Sequence, residues 1–519
     1  YQKKRKHLLY LLLVLVIAIA MPYLDTFAEE ENNNNYIPED YVAPRVHNDD
    51  AVAVDDSTDA VEFDRGVIPA YYDSRDYFKI PNVKRQYPYG TCWTFSTLAA
   101  CEVDGIKDGM DSSMDLSELQ LAYFTYQRLS DPLNNMVQEG AAINGSTYNY
   151  LNLGGNVQWA ILSLAKWQGG VDESDLPYVQ ASINQKYSEN LAYNKDSVHL
   201  QNSQWINMAD VADIKNAIMQ YGIVATSYYH LDSAYNDNTY GYYCNTKTTT
   251  NHAISLIGWN DNYDKSNFNT EPTHNGAWLV RNSWGGSWGD NGYFWISYED
   301  TSINESNAYT VEIESADNYD NNYQYDGSVI TSYYSNTGNY TYSSAANVFL
   351  AGSNESIEAV SFVADSAHTD YEVFVYTDLP DNYSSPEEGT LIAKATGSKT
   401  YAGYYTVPVK EISGQSRKLT AGATYSVIVR CTAKDSLGNY YAPDIPVSTA
   451  YNYTDYDVAY YDTCNPGESF RRWDNGTWKE SLYNCRVKAF TNELSGEVTS
   501  ISLDKTRYSG DMGTSFTLK

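Results

Sequence analysis

The sequence predicts an α+β domain followed by an all-β sandwich. Three observations carry this. Apolar residues recur at helical spacing early in the chain and at strand spacing directly after it; helical spacing disappears beyond Asp317; and 519 residues are too many for one hydrophobic core. A hydrophobic fraction of 42% and an aromatic fraction of 14%, with 51 tyrosines, suit packed domains rather than disorder.

The elements follow in order. Residues 1–28 read as a secretion signal: Lys3 to Lys6 are basic, Leu8 to Ala20 form a 13-residue apolar run, and Thr26-Phe27-Ala28 offers a cleavage site. The run is short for a membrane span, and the signal places the bulk of the chain outside the cytoplasm, secreted or at the cell surface. Residues 29–66 are polar with little periodicity, a linker or short propeptide. From 67 to 310, helix-like patterns (Trp93–Ile106, Ser117–Gln127, Val157–Gln168, Val211–Tyr221) precede strand-like runs (Ile223–Tyr229, His252–Trp259, Ala277–Asn282, Gly292–Tyr298). Residues 317–492 hold short alternating runs separated by Gly, Asn, Asp and Pro, including Ala346–Leu350, Ile357–Ala364, Tyr371–Tyr376, Thr390–Ala395, Tyr404–Val409 and Thr424–Cys431, which argue for an antiparallel sandwich. Residues 496–519 begin another β pattern and stop within it. With no initiating Met, the sequence reads as part of a longer frame.

The formal net charge is −32; residues 1–28 carry +3 (Lys3, Lys4, Arg5 and Lys6 against Asp25), so the remainder is −35. That field repels nucleic-acid phosphates and anionic lipid and favours a soluble monomer. Six cysteines in so long an extracellular chain do not make a disulfide scaffold. One bridge is expected among Cys431, Cys464 and Cys485, with the third left free. No cluster of residues demands a metal or a cofactor.

The segment Gln86-Tyr87-Pro88-Tyr89-Gly90-Thr91-Cys92-Trp93-Thr94-Phe95 places Cys92 at the start of an apolar helical run. Free amide N–H groups and the helix dipole favour an anion there, and the thiolate is the nucleophilic form of cysteine. A thiolate nucleophile needs an imidazole to hold it as an ion pair and to protonate the leaving group. Of the seven histidines, His252 opens an apolar strand, Asn251-His252-Ala253-Ile254-Ser255-Leu256-Ile257-Gly258-Trp259, whereas His199 and His230 lack a motif. On its strand alone, a buried core histidine is the plainer reading of His252. Asn282, in Arg281-Asn282-Ser283-Trp284-Gly285-Gly286-Ser287-Trp288-Gly289, can accept from the ring N–H without adding charge, with Trp284 shielding that bond from water. Gln86 can donate its amide N–H to a developing oxyanion beside the Cys92 N–H.

Taken together, the Gln86–Phe95 block, Asn251-His252-Ala253, Asn282-Ser283-Trp284-Gly285 with Trp288-Gly289, Leu116-Ser117-Glu118 and Gly154-Gly155 occur in the order of the papain family of cysteine proteases, which residues 67 to 300 resemble. The resemblance implies a two-lobed catalytic domain with Cys92 as nucleophile, His252 as acid and base, Asn282 as orienting residue and Gln86 as oxyanion donor. It implies that Gly154, Gly155 and Trp284 border an extended protein or peptide substrate, Gly155 through its backbone. Departures from the pattern are Tyr89 and Asn152, which stand where that family has a disulfide, and Phe124, where a second structural cysteine is common. His252 and Asn282 lie 160 and 190 residues beyond Cys92, more than the roughly 130–150 of papain-like enzymes. Insertions account for the excess; Asn260–Asn275 is one, read as a solvated loop or a reshaped cleft rim.

Asn321–Gly327, Ala346–Phe349 and Ala359–Phe362 resemble the lectin-like domain that follows some bacterial and archaeal papain-like proteases, implying a sandwich more securely than sugar binding; a cell-surface or carbohydrate contact and a spacer or cleft-covering role are both open. Val498–Asp504 resembles the first strand of a bacterial immunoglobulin-like repeat. The reading is a cysteine endopeptidase. An adhesion protein on a protease-like scaffold, and a cysteine acyltransferase using the same groups, are the alternatives.

Overall fold

The computed structural model describes residues 68–143, 150–182, 185–193, 195–453 and 458–494. The signal, the linker or propeptide and the immunoglobulin-like start fall outside these residues. Among the described residues no helix is long and apolar enough to cross a membrane.

The first domain is organised around the helix Cys92–Lys107. Every residue from Cys92 to Gly105 is buried, as the small and apolar run Leu98-Ala99-Ala100-Cys101 requires of a helix packed on all sides. Shorter helices flank it, each started by a side chain that satisfies an otherwise free amide. Ser117 Oγ accepts from Gln120 N at 3.0 Å before Glu118–Phe124, and Asn156 Oδ1 accepts from Trp159 N at 2.8 Å before Val157–Ala165. The helix Val211–Tyr221 stops at Gly222, whose φ of 78° is the left-handed conformation that glycine adopts without strain.

The β half pairs Val224–Tyr228, His252–Asn260, Ala277–Arg281 and Tyr293–Ser297 in antiparallel succession, with Tyr228 opposite His252 and Leu256 opposite Val280. His252–Asn260 is buried along both faces up to Trp259, which explains its unbroken apolar character. The Asn260–Asn275 insertion is more than a solvated loop. Tyr263 and Phe268 are buried, Tyr263 stacks on Trp295 at 5.0 Å, and Asn267 O accepts from Thr239 Oγ1 and Asn236 Nδ2.

In the second domain, Thr390–Lys399, Thr369–Thr377, Thr424–Lys434, Ser343–Leu350 and Ser469–Trp473 are neighbours in one sheet. Asn321–Tyr323, Val487–Glu493, Glu355–Ala364 and Ala402–Pro408 form the sheet facing it. Val373, Val375, Val427 and Val429 from one sheet meet Ile357, Val360, Phe362, Tyr405 and Val487 from the other in a common core.

The facing sheet does not end at the domain boundary. Ala402–Pro408 pairs with Val198–Asn207 of the first domain, Ala402 opposite Trp205 and Tyr405 opposite Asn202, so one sheet runs through both. A second junction pairs Val458–Tyr461 with Glu139–Ile143. Between them, Asp326 bonds Arg486 at 3.1 Å and Lys488 at 2.9 Å, while Lys166 donates to Gly327 O at 3.3 Å. Burial pushes Lys166 down to about 7.

The expected bridge among the last three cysteines does not form: Cys431, Cys464 and Cys485 are all unbridged. Cys464 Sγ donates to Ser481 O and Cys485 Sγ to Phe470 O, each at 3.5 Å, so both sulfurs are turned to the main chain. Cys431 sits on a different strand, Thr424–Lys434.

A Cβ on Gly403 would lie 2.1 Å from Ser203 O, inside the cross-domain strand pair. Gly403→Val is therefore expected to part the strands and cost about 3 kcal/mol. The checks are a lowered melting temperature and faster limited proteolysis between the domains; an unchanged melting curve would show that this pairing contributes little.

Candidate active site

Cys92 is the first residue of its helix and is 1% exposed. No side chain caps the helix. Thr91 Oγ1 is instead 2.6 Å from Tyr178 Oη, and because Tyr178 donates its one hydrogen to Gln86 O at 2.6 Å, Thr91 must be the donor. The helix N-terminus thus stays open to a negative charge at Cys92.

The same helix is bonded to the strand that carries His252. Ser96 Oγ donates to Ile254 O at 2.6 Å, and Ala253 N donates to Cys92 Sγ at 3.4 Å, which sets the sulfur against the residue following His252. His252 Nε2 lies 2.8 Å from Asn282 Oδ1. An amide oxygen only accepts, so Nε2 carries the hydrogen and Nδ1 is left for the sulfur. Ser283 N donates to the same Oδ1 at 2.8 Å and fixes the orientation of the amide. Trp284 stacks on the imidazole, with centroids 4.8 Å apart and planes 25° from parallel.

Burial pushes His252 down to about 3, the Asn282 hydrogen bond opposing and neighbouring His230 adding to the fall. An imidazolium here is therefore unfavourable by itself and depends on an adjacent anion, which a thiolate at Cys92 would supply.

Besides the bond from Tyr178 to its carbonyl, Gln86 is held at three further atoms. Its N donates to Ser283 O at 2.9 Å, its Oε1 accepts from Ser283 Oγ at 2.7 Å, and its Nε2 donates to Tyr89 O at 2.8 Å. That uses one amide hydrogen and leaves the other for a ligand. Two residues upstream, Lys84 bonds Glu102 and Glu118 at 2.8 Å and Asp115 at 2.5 Å. The Leu116-Ser117-Glu118 motif is thereby explained: Ser117 caps a helix and Glu118 helps anchor the strand of chain that leads to Gln86.

Gly154 and Gly155 lie before the cap of Val157–Ala165. Gly154 O accepts from Tyr126 Oη at 2.9 Å, and a Cβ on Gly155 would meet the Trp93 ring at 2.5 Å. Only a bare backbone fits against the ring of Trp93, the residue after Cys92, and Gly155 remains partly exposed at the edge. In place of the missing disulfide, Asn152 Oδ1 accepts from Gly90 N and Ala181 O from Tyr89 Oη, both at 3.3 Å.

Cys92, His252, Asn282, Trp284 and Gln86 are thus brought together from two halves of the domain, with Gly154 and Gly155 behind Trp93. One neighbour lacked any sequence signal: His230, whose ring centroid is 6.4 Å from that of His252 and 4.8 Å from that of Trp284. Only the register placing Tyr228 opposite His252 brings it here.

Residues 68–316 match the papain family of cysteine proteases, and residues 322–491 match a lectin-like domain family. Among curated proteins, the chain is similar to a thiol protease, aleurain-like, of Arabidopsis thaliana (27% identical, 44% of this chain and 55% of that protein) and to fruit bromelain of Ananas comosus (27%, 44% and 54%). The chain spans about half the length of these relatives. Among solved structures it resembles the cysteine protease and lectin-like domains of Cwp84, a surface layer associated protein of Clostridium difficile, with 26% identity and a TM-score of 0.67 over 82% of this chain and 89% of that one. Clostridial Cwp84 after propeptide cleavage is similar at 26% identity and a TM-score of 0.66, over 82% and 99%.

Gly155→Ala is expected to force Trp93 aside at a cost of about 1–3 kcal/mol. Thermal melting and a shifted tryptophan emission check this; a melting temperature equal to that of the unaltered protein would mean Trp93 yields freely.

Proposed function

We propose that this chain, a papain-family cysteine protease domain followed by a lectin-like domain, hydrolyses peptide bonds with Cys92 as nucleophile. The supporting observation is the His252 ring, bonded through Nε2 to Asn282 at 2.8 Å with its other nitrogen left for the thiol at the helix N-terminus. The Cys92 thiolate attacks the scissile carbonyl carbon, and the Cys92 N–H and the spare Gln86 N–H receive the oxyanion. The imidazolium of His252 gives its proton to the leaving amine as the C–N bond breaks. Neutral His252 then takes a proton from water, hydroxide attacks the thioester, and the carboxylic acid leaves as the thiolate is restored.

The substrate in this reading is an extended segment of protein whose main chain runs along Gly154 and Gly155. The enzyme acts outside the cell or on its surface, a placement supported by the signal-like residues 1–28 and by the likeness to a surface layer associated protein. The lectin-like domain, continuous with the peptidase sheet, then carries the contact to surface protein or carbohydrate, holding the catalytic domain in a set orientation.

Two substitutions test the reading with a fluorogenic peptide library and an electrophilic thiol probe. Cys92→Ala should abolish both cleavage and labelling. Gln86→Ala should keep labelling while kcat falls about 10²-fold with KM little changed. Cleavage that survives in Cys92→Ala would sink the proposal, and labelling without cleavage of any peptide would favour acyl transfer.

A further inference from the structure

His230 belongs to none of the roles assigned above, yet it is built into the same wall of the site. Its side chain is 14% exposed and stands at 89° to the Trp284 ring that covers His252. Asn251, the residue before His252, clamps its backbone: Asn251 Oδ1 accepts from His230 N at 2.6 Å and Asn251 Nδ2 donates to His230 O at 3.1 Å. Movement of the His230 loop is thereby coupled to the start of the histidine strand.

Both ring nitrogens are engaged. Nε2 is 3.0 Å from Asp232 Oδ1 and Nδ1 is 2.7 Å from Tyr228 Oη. The carboxylate only accepts, so Nε2 carries a hydrogen; in the neutral ring Nδ1 then accepts from the Tyr228 hydroxyl. Tyr228 is fully buried against Tyr242, Phe294 and His252, and burial holds it as the phenol. Protonation of His230 would put a second hydrogen on Nδ1, facing that of the phenol. The Tyr228 hydrogen would have to turn into apolar packing, and a positive charge would appear beside His252.

The surroundings contain few groups that could offset that charge. Asp232 is fully exposed, and Asp300 acts on Tyr228 and Tyr242, while only burial and Asp232 act on His230 itself. His252 faces His230 from its strand, Lys247 lies 4.8 Å over the adjoining Tyr229, and Trp284 is uncharged. Burial lowers the pKa of His230 and the Asp232 hydrogen bond partly restores it.

We propose that His230 is a positioning residue of the reaction: as a neutral imidazole it braces Trp284 over the His252–Asn282 hydrogen bond and leaves the positive charge of the ion pair to His252, and its protonation in acid switches the site off. The inference rests on the peptidase reading for the chemistry it regulates. Its sign follows from the depressed pKa: His230 is neutral near neutral pH, and function is lost as pH falls through the pKa of His230 in the folded protein.

The test measures the rate at which iodoacetamide alkylates Cys92 in the full chain, located by peptide mass, across about pH 4 to 9. This reads the thiolate–imidazolium pair without any peptide substrate. His230→Gln removes the titration, and Asp232→Asn keeps the imidazole but makes its protonation harder. Both should move the acid-side inflection down by roughly half a pH unit or more. A merely structural role would change the rate at all pH values without moving the inflection. An inflection in Asp232→Asn, or in folded His230→Gln, that coincides with that of the unaltered protein overturns the proposal. If Cys92 of the unaltered protein reacts only at alkaline pH, as an ordinary thiol, the peptidase reading falls as well.

Discussion

The site depends on the contact between the start of one helix and the start of one strand. Cys92 opens a helix buried on every side, and His252 opens a strand buried on both faces. The bonds from Ser96 to Ile254 and from Ala253 to the Cys92 sulfur hold these two beginnings side by side. Everything else in the site is positioned from that seam. Asn282 follows the next strand, registered through Leu256 and Val280, and Gln86 is tied to Ser283 on the same turn.

In the proposed reaction, electrostatics make the seam reactive. A buried imidazolium is costly and a thiolate at a helix N-terminus is favoured, so the charges are most stable as a pair. The Asn282 amide supports that pair without adding a charge of its own, and Trp284 keeps water from competing for the hydrogen bond. A second buried imidazole at His230 is compatible with this balance as long as it is neutral, because Tyr228 and Asp232 satisfy it in that form.

The second domain is joined to the first by backbone pairing rather than by a flexible tether. The strand Ala402–Pro408 completes the edge of Val198–Asn207, which would otherwise present unpaired amides to water. Behind it, the buried Asp326 is compensated by Arg486 and Lys488, and Arg486 also donates to Ser328 O and Ile330 O. Through Gln324, which accepts from Lys488 and donates to Lys166 O, this cluster is tied to the first domain, so it favours one relative placement of the domains over others.

Much of this protein was legible from local pattern. Helical spacing located Cys92–Lys107 and Val211–Tyr221, strand patterns located the sheets, and Cys92, His252, Asn282 and Gln86 stood in blocks that together follow the order of the papain family. Each of these is a property of neighbours in sequence, dictated by the 3.6- and 2-residue periods and by what a thiol, an imidazole and an amide can do. Tertiary structure alone decided the rest. His230 sits beside Trp284 because Tyr228 pairs with His252, and the two domains share a sheet because residue 402 pairs with residue 205. The thiols of Cys464 and Cys485 turned to carbonyls instead of forming the expected bridge. Those outcomes depend on strand register and packing between segments far apart in the chain, and local periodicity carries no information about which distant edge a strand will meet.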